Sequence, residues 1–391
     1  MENQVSTPRV AIACGGTGGH LFPGIAVAEE LKQRGCSVTL LISPKEVDQQ
    51  AVKSATGMDI ATLPAVGLSR GRGLAFAKGF MQSYRAAARL FKSARPDAVL
   101  AMGGFTSAPP VLAGKACGAP AFLHESNTIP GRANRWLSWT VNQAFVGFPD
   151  AAKRLRTKTV KCTGTPVRPQ FQAMDAAACR VQLGLDPNRP VLLVTGGSQG
   201  ASGLNDVVIQ ALPLLKMLAP DLQLFHLTGQ GDVEKVEKAC AAENVKAIVR
   251  PFFAEMHLAL GAASAAISRA GASSLAELAA MRVPSLLVPY PAATDNHQYF
   301  NALAFEKSGA AFLMEQREAK AELLAPKVVE LMESAPTRAK MQAALAGWHV
   351  PRAAENIAEN IMQVVTARRR ARGAVTLPSS SNIHNRQSVT P

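Results

Sequence analysis

A glycine-rich turn that ends in a histidine carries the clearest chemistry in this sequence. The segment 15–20, Gly-Gly-Thr-Gly-Gly-His, lies between an apolar run at 10–14 and an amphipathic stretch at 21–31. That order predicts a strand, a tight turn and a helix. Glycines at such a turn leave backbone N–H groups accessible, and the start of the helix adds partial positive charge. The segment therefore predicts an anion-binding site.

His20, at the mouth of this turn, could accept a proton or donate a hydrogen bond to an oxyanion. The alternative is a histidine that caps or packs on its own helix, and the residues alone leave both open. The spacing is not the G-x-G-x-x-G of dinucleotide-binding folds, and the acid expected about 20 residues further on is missing. A nicotinamide-dependent oxidoreductase is therefore disfavoured.

The length and composition predict two well-filled domains. The chain has 391 residues, of which 48% are hydrophobic. Its six cysteines are scattered without C-x-x-C or metal-ligand spacing, which favours reduced cytosol over a disulfide framework or a zinc site. Residues 1–8 are polar and do not resemble a signal peptide. No apolar stretch approaches the roughly 18–20 residues that span a bilayer, so we expect a soluble or peripheral protein.

A formal net charge of +14 predicts an acidic partner, which could be nucleic acid, an anionic membrane surface or a phosphorylated substrate. Residues 60–95 contain seven basic side chains and no acidic one. A loop at 67–73 and a helix at 74–94 are predicted there, with apolar and basic residues mixed where they meet: Leu68, Leu74, Phe76 and Met81 among Arg70, Arg72 and Lys78. This mixture favours an anionic membrane surface. It lacks interleaved stacking aromatics, which argues against single-stranded nucleic acid.

The rest of the chain repeats the pattern of a short apolar run followed by small or polar residues. Such positions, at the carboxyl ends of strands, are where open α/β sheets bind ligands. The segment 190–201 is similar to the first strand and glycine turn, so an α/β protein with two Rossmann-like domains is predicted. The linker is placed at 161–169, and a final helix at 351–372. Further strands are predicted at 38–42, 60–66, 98–102, 121–123, 144–146, 222–227, 247–249, 265–268 and 284–291.

Seven motifs together resemble one enzyme family. They are GGTGGH at 15–20, GGF at 103–105, HESN at 124–127, GTPVR at 164–168, GGSQGA at 196–201, SRAGASSLAEL at 268–278 and DNHQYFNA at 295–302. In this order, and over nearly the whole chain, they resemble the family 28 glycosyltransferases, peripheral membrane enzymes that add N-acetylglucosamine to lipid I in peptidoglycan synthesis. Any one motif is weak, but the ordered set is specific.

The resemblance implies a GT-B fold, in which two Rossmann-like domains with parallel sheets face each other across a cleft. Its implied parts are an acceptor- and membrane-facing domain at 1–165, a donor domain at 166–348, a helix crossing back at 349–372 and a disordered tail at 373–391. A hinge at 164–169 would let the cleft close.

The implied reaction is an inverting transfer from UDP-N-acetylglucosamine to the C4 hydroxyl of the N-acetylmuramyl unit of undecaprenyl-linked lipid I, which gives lipid II. Neither a metal nor another cofactor is expected, because helix termini and arginine can stabilise the leaving diphosphate. The expected location is the cytoplasmic face of the bacterial inner membrane. Cell-wall synthesis or division proteins are further expected partners, and nucleic acid is not.

Carried over residue by residue, the resemblance implies a donor site. Ser198 and the helix that begins near residue 272 would face the pyrophosphate. Glu277 would bind the ribose, unless it is only a partner of the helix dipole. The Phe253 backbone would contact the uracil, Gln298 the sugar and Arg168 the donor from the hinge. The full implied set is Thr17, Gly18, Gly19, Asn127, Arg168, Ser198, Phe253, Ala272, Ser273, Ser274, Leu275, Ala276, Glu277 and Gln298.

For catalysis, His20 is the candidate general base and Glu125 its rival. The alternative for Glu125, which we favour slightly, is a structural carboxylate that holds His20 or a backbone amide. Phe105 stands where many relatives have tyrosine, so a hydroxyl contact to the acceptor is in doubt there. The acceptor and membrane side would be formed by Gly103, Gly104, Phe105, Arg70, Arg72, Leu74, Phe76 and Lys78.

Two further alternatives are a glycosyltransferase with another acceptor and a protein without enzymatic activity. A GT-B enzyme that transfers a UDP-sugar to another glycolipid would share Glu277 and the glycine turns, but not HESN at 124–127. A non-enzymatic membrane-binding protein would leave the second glycine turn without a role.

Overall fold

Two parallel sheets form the core of the molecule. The computed structural model describes residues 7–16, 18–45, 48–49, 52, 55, 57–64 and 73–375. The strands of the first sheet are β1 (Arg9–Ala13), β2 (Ser37–Ile42), β3 (Asp59–Thr62), β4 (Ala98–Ala101), β5 (Ala121–Glu125), β6 (Gln143–Val146) and β7 (Val160–Cys162). The accompanying helices are α1 (Gly18–Gln33), α2 (Gly73–Ser93), α3 (Ala108–Ala116), α4 (Arg132–Leu137) and α5 (Pro149–Ala152).

The second sheet contains β8 (Val191–Thr195), β9 (Gln223–Leu227), β10 (Lys246–Arg250), β11 (Ala265–Ser268), β12 (Ser285–Leu287) and β13 (Phe312–Leu313). Its helices are α6 (Ala176–Gln182), α7 (Ser202–Leu218), α8 (Val233–Ala242), α9 (Met256–Ala262), α10 (Ala272–Met281), α11 (His297–Lys307), α12 (Ala321–Glu333) and α13 (Ala335–Trp348). Short 3₁₀ turns lie at Thr294–Asn296 and Gln316–Glu318, and the last helix is α14 (Ala353–Val375).

Both sheets have the same strand order, which confirms the internal repeat. The first runs β3-β2-β1-β4-β5-β6-β7 and the second β10-β9-β8-β11-β12-β13, with every pairing parallel. This is the Rossmann order, in which the chain changes direction beside the first strand of each sheet. Ligands bind at the carboxyl ends of strands at that point. The turns after β1, β4, β8 and β11 are therefore the places to look for a site.

The strands are buried on both faces because helices cover both sides of each sheet. Along β1, Val10 and Ile12 pack into one core cluster, whereas Ala11 and Ala13 pack into another on the opposite face. The first of these clusters also contains Ile357, Ile361 and Val365 of α14. The last helix thus packs on the first domain, beside α1.

Several predicted boundaries are wrong. Strand β5 continues through Glu125, although the sequence placed the strand end at residue 123. The first two residues of the predicted linker 161–169 belong to β7. Helix α14 continues to Val375 and so takes up the start of the predicted tail 373–391. Residues 376–391 lie outside the described residues, and the domain limits at 165/166 and 348/349 stay predictions.

Within the described ranges, no helix carries an apolar stretch of the length that a bilayer requires.

Candidate active site

The main cavity lies between the two domains, at the carboxyl ends of both sheets. It has a volume of about 720 Å³. The first domain contributes Gly18, Gly19 and Phe22, the linker contributes Arg168, and the second domain forms the rest of the wall. The predicted donor residues that line it are Gly18, Gly19, Arg168, Ser198, Phe253, Ala272, Ser273, Ser274, Glu277 and Gln298. The cavity therefore collects most of the predicted set in one place.

Three predicted donor residues do not line this cavity, and Thr17 lies outside the described residues. Leu275 is packed in the core of the second domain, and its N–H donates to Gly271 O within the helix. Leu275 therefore lies on the inward face of α10, away from the cavity wall, and a ligand contact through it stays a prediction. Ala276 is half-buried and outside the cavity wall, as is Asn127.

Two helix N-termini converge at the cavity. The Ser273 hydroxyl, in the first turn of α10, donates to Gly19 O, in the first turn of α1, at 3.0 Å. A Cβ atom at Gly18 would lie 3.4 Å from Ser198 Oγ. Backbone N–H groups and the positive ends of two helix dipoles thus surround the same space. An anionic group between the domains would be stabilised from both sides.

A buried arginine and a glutamate face each other beside these helix starts. Arg168 is 6% exposed, and its Nη2 lies 3.9 Å from Glu277 Oε1. The guanidinium lies over the Phe22 ring, 4.3 Å from its centre, and 5.0 Å from that of Phe171. Burial raises the pKa of Glu277 to about 7, although Arg168 opposes this shift. Burial lowers the pKa of Arg168, because it disfavours the charged form of this side chain too.

The ring of His20 lies against the glycine pair that follows β4. A Cβ atom at Gly103 would be 2.8 Å from Cδ2 and Nε2 of His20, and one at Gly104 would be 3.3 Å from Cε1. Both glycines have a positive φ, +121° and +76°. A side chain at Gly103 would clash with the imidazole and one at Gly104 would crowd it, so the GGF motif shapes the space around His20.

His20 is neutral at physiological pH. Burial lowers its pKa to about 4; Asp48 raises it, while His297 and Lys45 lower it further. The sequence did not single out Asp48, a buried carboxylate that accepts the Gly16 N–H at 2.6 Å and so holds the first glycine turn. A neutral imidazole can accept a proton, which is compatible with the predicted role.

Glu125 is surrounded by N–H donors. Its Oε1 accepts the Asn127 N–H at 2.9 Å and Asn127 Nδ2 at 3.1 Å, and its Oε2 accepts the Gly131 N–H and Asn134 Nδ2, both at 2.9 Å. Burial raises the pKa of this carboxyl, and the four donors oppose that shift. A carboxylate with four donors has little capacity left to accept a proton. The geometry favours the structural alternative.

The histidine of the HESN motif is also structural. His124 is fully buried, with Nε2 3.0 Å from Gly164 O and Nδ1 3.2 Å from Ser126 Oγ. Burial lowers its pKa to about 4. It ties β5 to the start of the linker.

Among the residues predicted for the acceptor side, Phe105 and Phe76 contact each other edge to face, with ring centres 5.7 Å apart. This contact places the GGF motif beside α2. Leu74 is 91% exposed, and Lys78 is also exposed. Arg70 and Arg72 lie outside the described residues.

Sequence reasoning missed several cavity residues. Arg269 is buried and donates to Val288 O, Pro289 O and Gln316 Oε1, so it ties together the loops around the donor side. Its position directly after β11 was the available signal. Phe22 gave no signal, because a phenylalanine in an amphipathic helix is usually a core residue.

Among the described side chains, no three of histidine, cysteine, aspartate and glutamate form a group that could hold a metal ion.

The fold and the cleft define a class of protein. Two Rossmann-like domains that face each other, with helix starts converging between them, are the GT-B arrangement of glycosyltransferases that the sequence resemblance implied. The chain belongs to glycosyltransferase family 28: the model of the family's N-terminal domain matches residues 10–146, and that of its C-terminal domain matches residues 191–357.

Curated relatives carry one name. The UDP-N-acetylglucosamine--N-acetylmuramyl-(pentapeptide) pyrophosphoryl-undecaprenol N-acetylglucosamine transferase of Anaeromyxobacter sp. (strain K) is 38% identical over 371 residues, 92% of this chain and 94% of that one. The transferase of the same name from Moorella thermoacetica is 36% identical over 371 residues, 91% of this chain and 99% of that one.

Solved structures share the fold. The crystal structure of Acinetobacter baumannii MurG is 29% identical, has a TM-score of 0.69, and covers 92% of this chain and 100% of its own. Phytolacca americana UGT2, complexed with UDP-2fluoro-glucose and pterostilbene, matches with a TM-score of 0.64 at 16% identity over 93% of this chain and 100% of its own. The second likeness concerns the fold alone.

Proposed function

We propose that this protein transfers N-acetylglucosamine from UDP-N-acetylglucosamine to the C4 hydroxyl of the N-acetylmuramyl unit of lipid I, giving lipid II for peptidoglycan. The observation that carries this proposal is the shared name of relatives that are 36–38% identical over more than nine-tenths of the chain. The inter-domain cavity supports it, since its volume and its convergent helix starts suit a nucleotide sugar.

The donor is proposed to lie against the second domain. The diphosphate faces the starts of α1 and α10 and the turn that contains Ser198, where backbone N–H groups are concentrated. The Glu277 carboxylate accepts hydrogen bonds from the ribose hydroxyls. Arg168 contacts the donor from the hinge side, and Phe253 and Gln298 contact the uracil and the sugar.

The reaction is proposed to be a single displacement. The acceptor hydroxyl oxygen bonds to the anomeric carbon, the bond from that carbon to the diphosphate oxygen breaks, and UDP leaves with the electron pair. His20 takes the hydroxyl proton. The helix dipoles and Arg168 stabilise the charge that develops on the leaving diphosphate. The proposed reaction therefore needs no metal ion.

The membrane-facing surface is proposed to be the exposed start of α2, formed by Leu74, Phe76, Lys78 and Met81. Leu74 and Met81 are 91% and 46% exposed. Solvent-exposed apolar side chains beside basic ones match the chemistry of an anionic leaflet surface. The adjacent GGF motif and His20 would then meet an acceptor whose lipid chain stays in the membrane, at the cytoplasmic face.

The test combines donor binding with a panel of acceptors. Purified protein is titrated with UDP-N-acetylglucosamine in a calorimeter, and transfer of labelled sugar is then measured onto a lipid I analogue and onto diacylglycerol, with and without EDTA. We expect donor binding and EDTA-resistant transfer to the lipid I analogue only. Transfer to diacylglycerol instead would show the alternative glycolipid function, and absence of donor binding would contradict both.

A further inference from the structure

Asn301 joins the two domains beside the cavity. It lies in α11 and its side chain is fully buried. Its Oδ1 accepts the Thr128 N–H at 2.9 Å, and its Nδ2 donates to Asn127 Oδ1 at 3.0 Å and to Ala270 O at 3.1 Å. Thr128 and Asn127 follow β5 in the first domain, whereas Ala270 follows β11 in the second. One amide thus connects loops at the carboxyl ends of both sheets.

The direction of these hydrogen bonds is fixed by their backbone partners. The Thr128 N–H can only donate and the Ala270 carbonyl can only accept, so the Asn301 amide has one possible orientation. Its Nδ2 then faces the oxygen of Asn127, whose own Nδ2 donates to Glu125 Oε1 at 3.1 Å. A directional chain of hydrogen bonds runs from Asn301 in the second domain to the Glu125 carboxylate in the first.

Each side of this contact is held within its own domain. The Ala270 carbonyl orients Asn301, and Glu125 holds the opposing loop through Asn127 and Gly131. Among the described residues, two hydrogen bonds cross between the domains at Asn301, to Thr128 N and Asn127 Oδ1. Two preformed polar surfaces that meet through few bonds form a docking contact, which can open without unfolding either side.

Other polar contacts cross the cleft in the same region. Ser273 Oγ donates to Gly19 O at 3.0 Å, and Arg135 Nη2 pairs with Asp295 Oδ2 at 2.6 Å. The pair formed by Arg135 and Asp295 is partly exposed at the rim, so water and salt weaken it. Asn301 is the fully buried member of this set, where an unmet hydrogen bond costs most.

We propose that Asn301 is a positioning residue that holds the cleft closed during transfer by docking onto Asn127 and Thr128. This inference rests on the proposed function, because closure matters when one domain binds the donor and the other the acceptor. It also gives Glu125 a role: the carboxylate orients Asn127 for docking. The partner of Asn301 is therefore the HESN loop, and its effect on the reaction is indirect.

The test is the substitution Asn301→Asp, which keeps the oxygen for Thr128 N–H but places a second oxygen against Asn127 Oδ1 and Ala270 O. We expect kcat to fall by about 10²-fold, because a small misplacement of the reacting groups has effects of that size. The dissociation constant for UDP should change far less. Small-angle X-ray scattering should give a larger radius of gyration for the variant than for the wild type in saturating UDP.

A second variant covers the case in which Asn301→Asp does not fold. Asn127→Ala truncates a half-buried side chain and removes the docking partner from the other domain. It should give the same expansion in scattering, and the double variant should be no slower than the slower single one. Glu306→Gln, on the exposed side of α11, is the matched control and should behave as the wild type.

Folded Asn301→Asp and Asn127→Ala variants with wild-type scattering and wild-type kcat would overturn the inference. A compact Asn127→Ala protein would overturn it even if Asn301→Asp is insoluble. The scattering comparison uses UDP and no lipid I, so its result does not depend on the acceptor. Failure of the wild type to act on lipid I would therefore count against the proposed function and not against the role of Asn301.

Discussion

At the scale of single residues, the two candidate bases differ in what surrounds them. Both oxygens of Glu125 accept N–H donors, from Asn127, Gly131 and Asn134. His20 has a pKa lowered to about 4 and lies over a glycine pair that leaves space for its ring. A base that is neutral well below physiological pH does not need to lose a proton before it acts. His20 stays the proposed base, and its neutral form is present at physiological pH.

Glu277 should make donor binding depend on pH. Burial raises its pKa to about 7, so the carboxyl is protonated below that pH and ionised above it. The ionised form is the better acceptor for two ribose hydroxyls. Donor affinity should therefore rise with pH through about 7 and fall by up to about tenfold per pH unit below it.

Calorimetric titration with UDP-N-acetylglucosamine across this pH range measures the effect, since the pyrophosphate diester of the donor does not titrate there. Glu277→Gln should bind more weakly and without the pH dependence. The same pH profile in wild type and Glu277→Gln would assign the titration to another group.

Individual site residues differed in how well the sequence could locate them. Ser198, Ser273 and Glu277 lie on motifs whose glycines and spacing fix the local backbone, so a position in the motif predicts a position in the site. Asn301 contacts Asn127 across 174 residues of sequence. A contact of that kind depends on how the two domains meet, and no local pattern carries it.

At the scale of elements, the site follows from the shared topology of the two sheets. The turns after β1 and β4 hold His20, and the turns after β8 and β11 line the cavity. The polar end of β5 was harder to predict. His124 and Glu125 look like residues that follow a strand, but their buried partners, Gly164 O and a group of N–H donors, allow the strand to continue through them.

Gly103→Ala should displace the proposed base, His20, without removing it. Its Cβ would lie 2.8 Å from the His20 ring, and its φ of +121° disfavours any side chain. We expect the ring to move and kcat to fall by about 10²-fold, with donor affinity unchanged. Steady-state kinetics and donor titration measure the two quantities.

Gly35→Ala is the control for backbone strain. Gly35 also has a positive φ, +78°, but a Cβ there meets no atom within 4 Å. It should lower stability by about 1 kcal/mol and leave kcat near the wild-type value. Equal losses of kcat in both variants would mean that strain, rather than contact with His20, determines the effect.

At the scale of the whole molecule, the net charge and the exposed apolar residues bear on the proposed contact with a membrane. Two tryptophans, one in α4 and one just after it, add to the apolar surface of the first domain: Trp136 is 51% exposed and Trp139 is 72% exposed. Tryptophan is enriched where proteins meet the interface of a bilayer. The first domain therefore has more than one candidate contact with lipid.

The membrane proposal predicts that Leu74→Ser combined with Lys78→Gln weakens vesicle binding. Each basic residue near an anionic surface contributes about 1 kcal/mol, and burial of a leucine adds to this. Co-sedimentation with phosphatidylglycerol vesicles should show at least a roughly tenfold loss of affinity. Lys238→Gln, on the second domain, should bind as the wild type does. Unchanged binding of the double variant would place the membrane surface elsewhere.

The most direct test of the proposed reaction measures how fast purified protein transfers labelled N-acetylglucosamine to a lipid I analogue. The rate is compared between the wild type and His20→Ala. With His20 as the base, we expect transfer by the wild type and a loss of about 10²–10⁴-fold in kcat for the variant, with donor affinity preserved. Full turnover by His20→Ala would contradict the assignment of the base. Absence of transfer by a wild-type protein that binds the donor would contradict the proposed reaction itself.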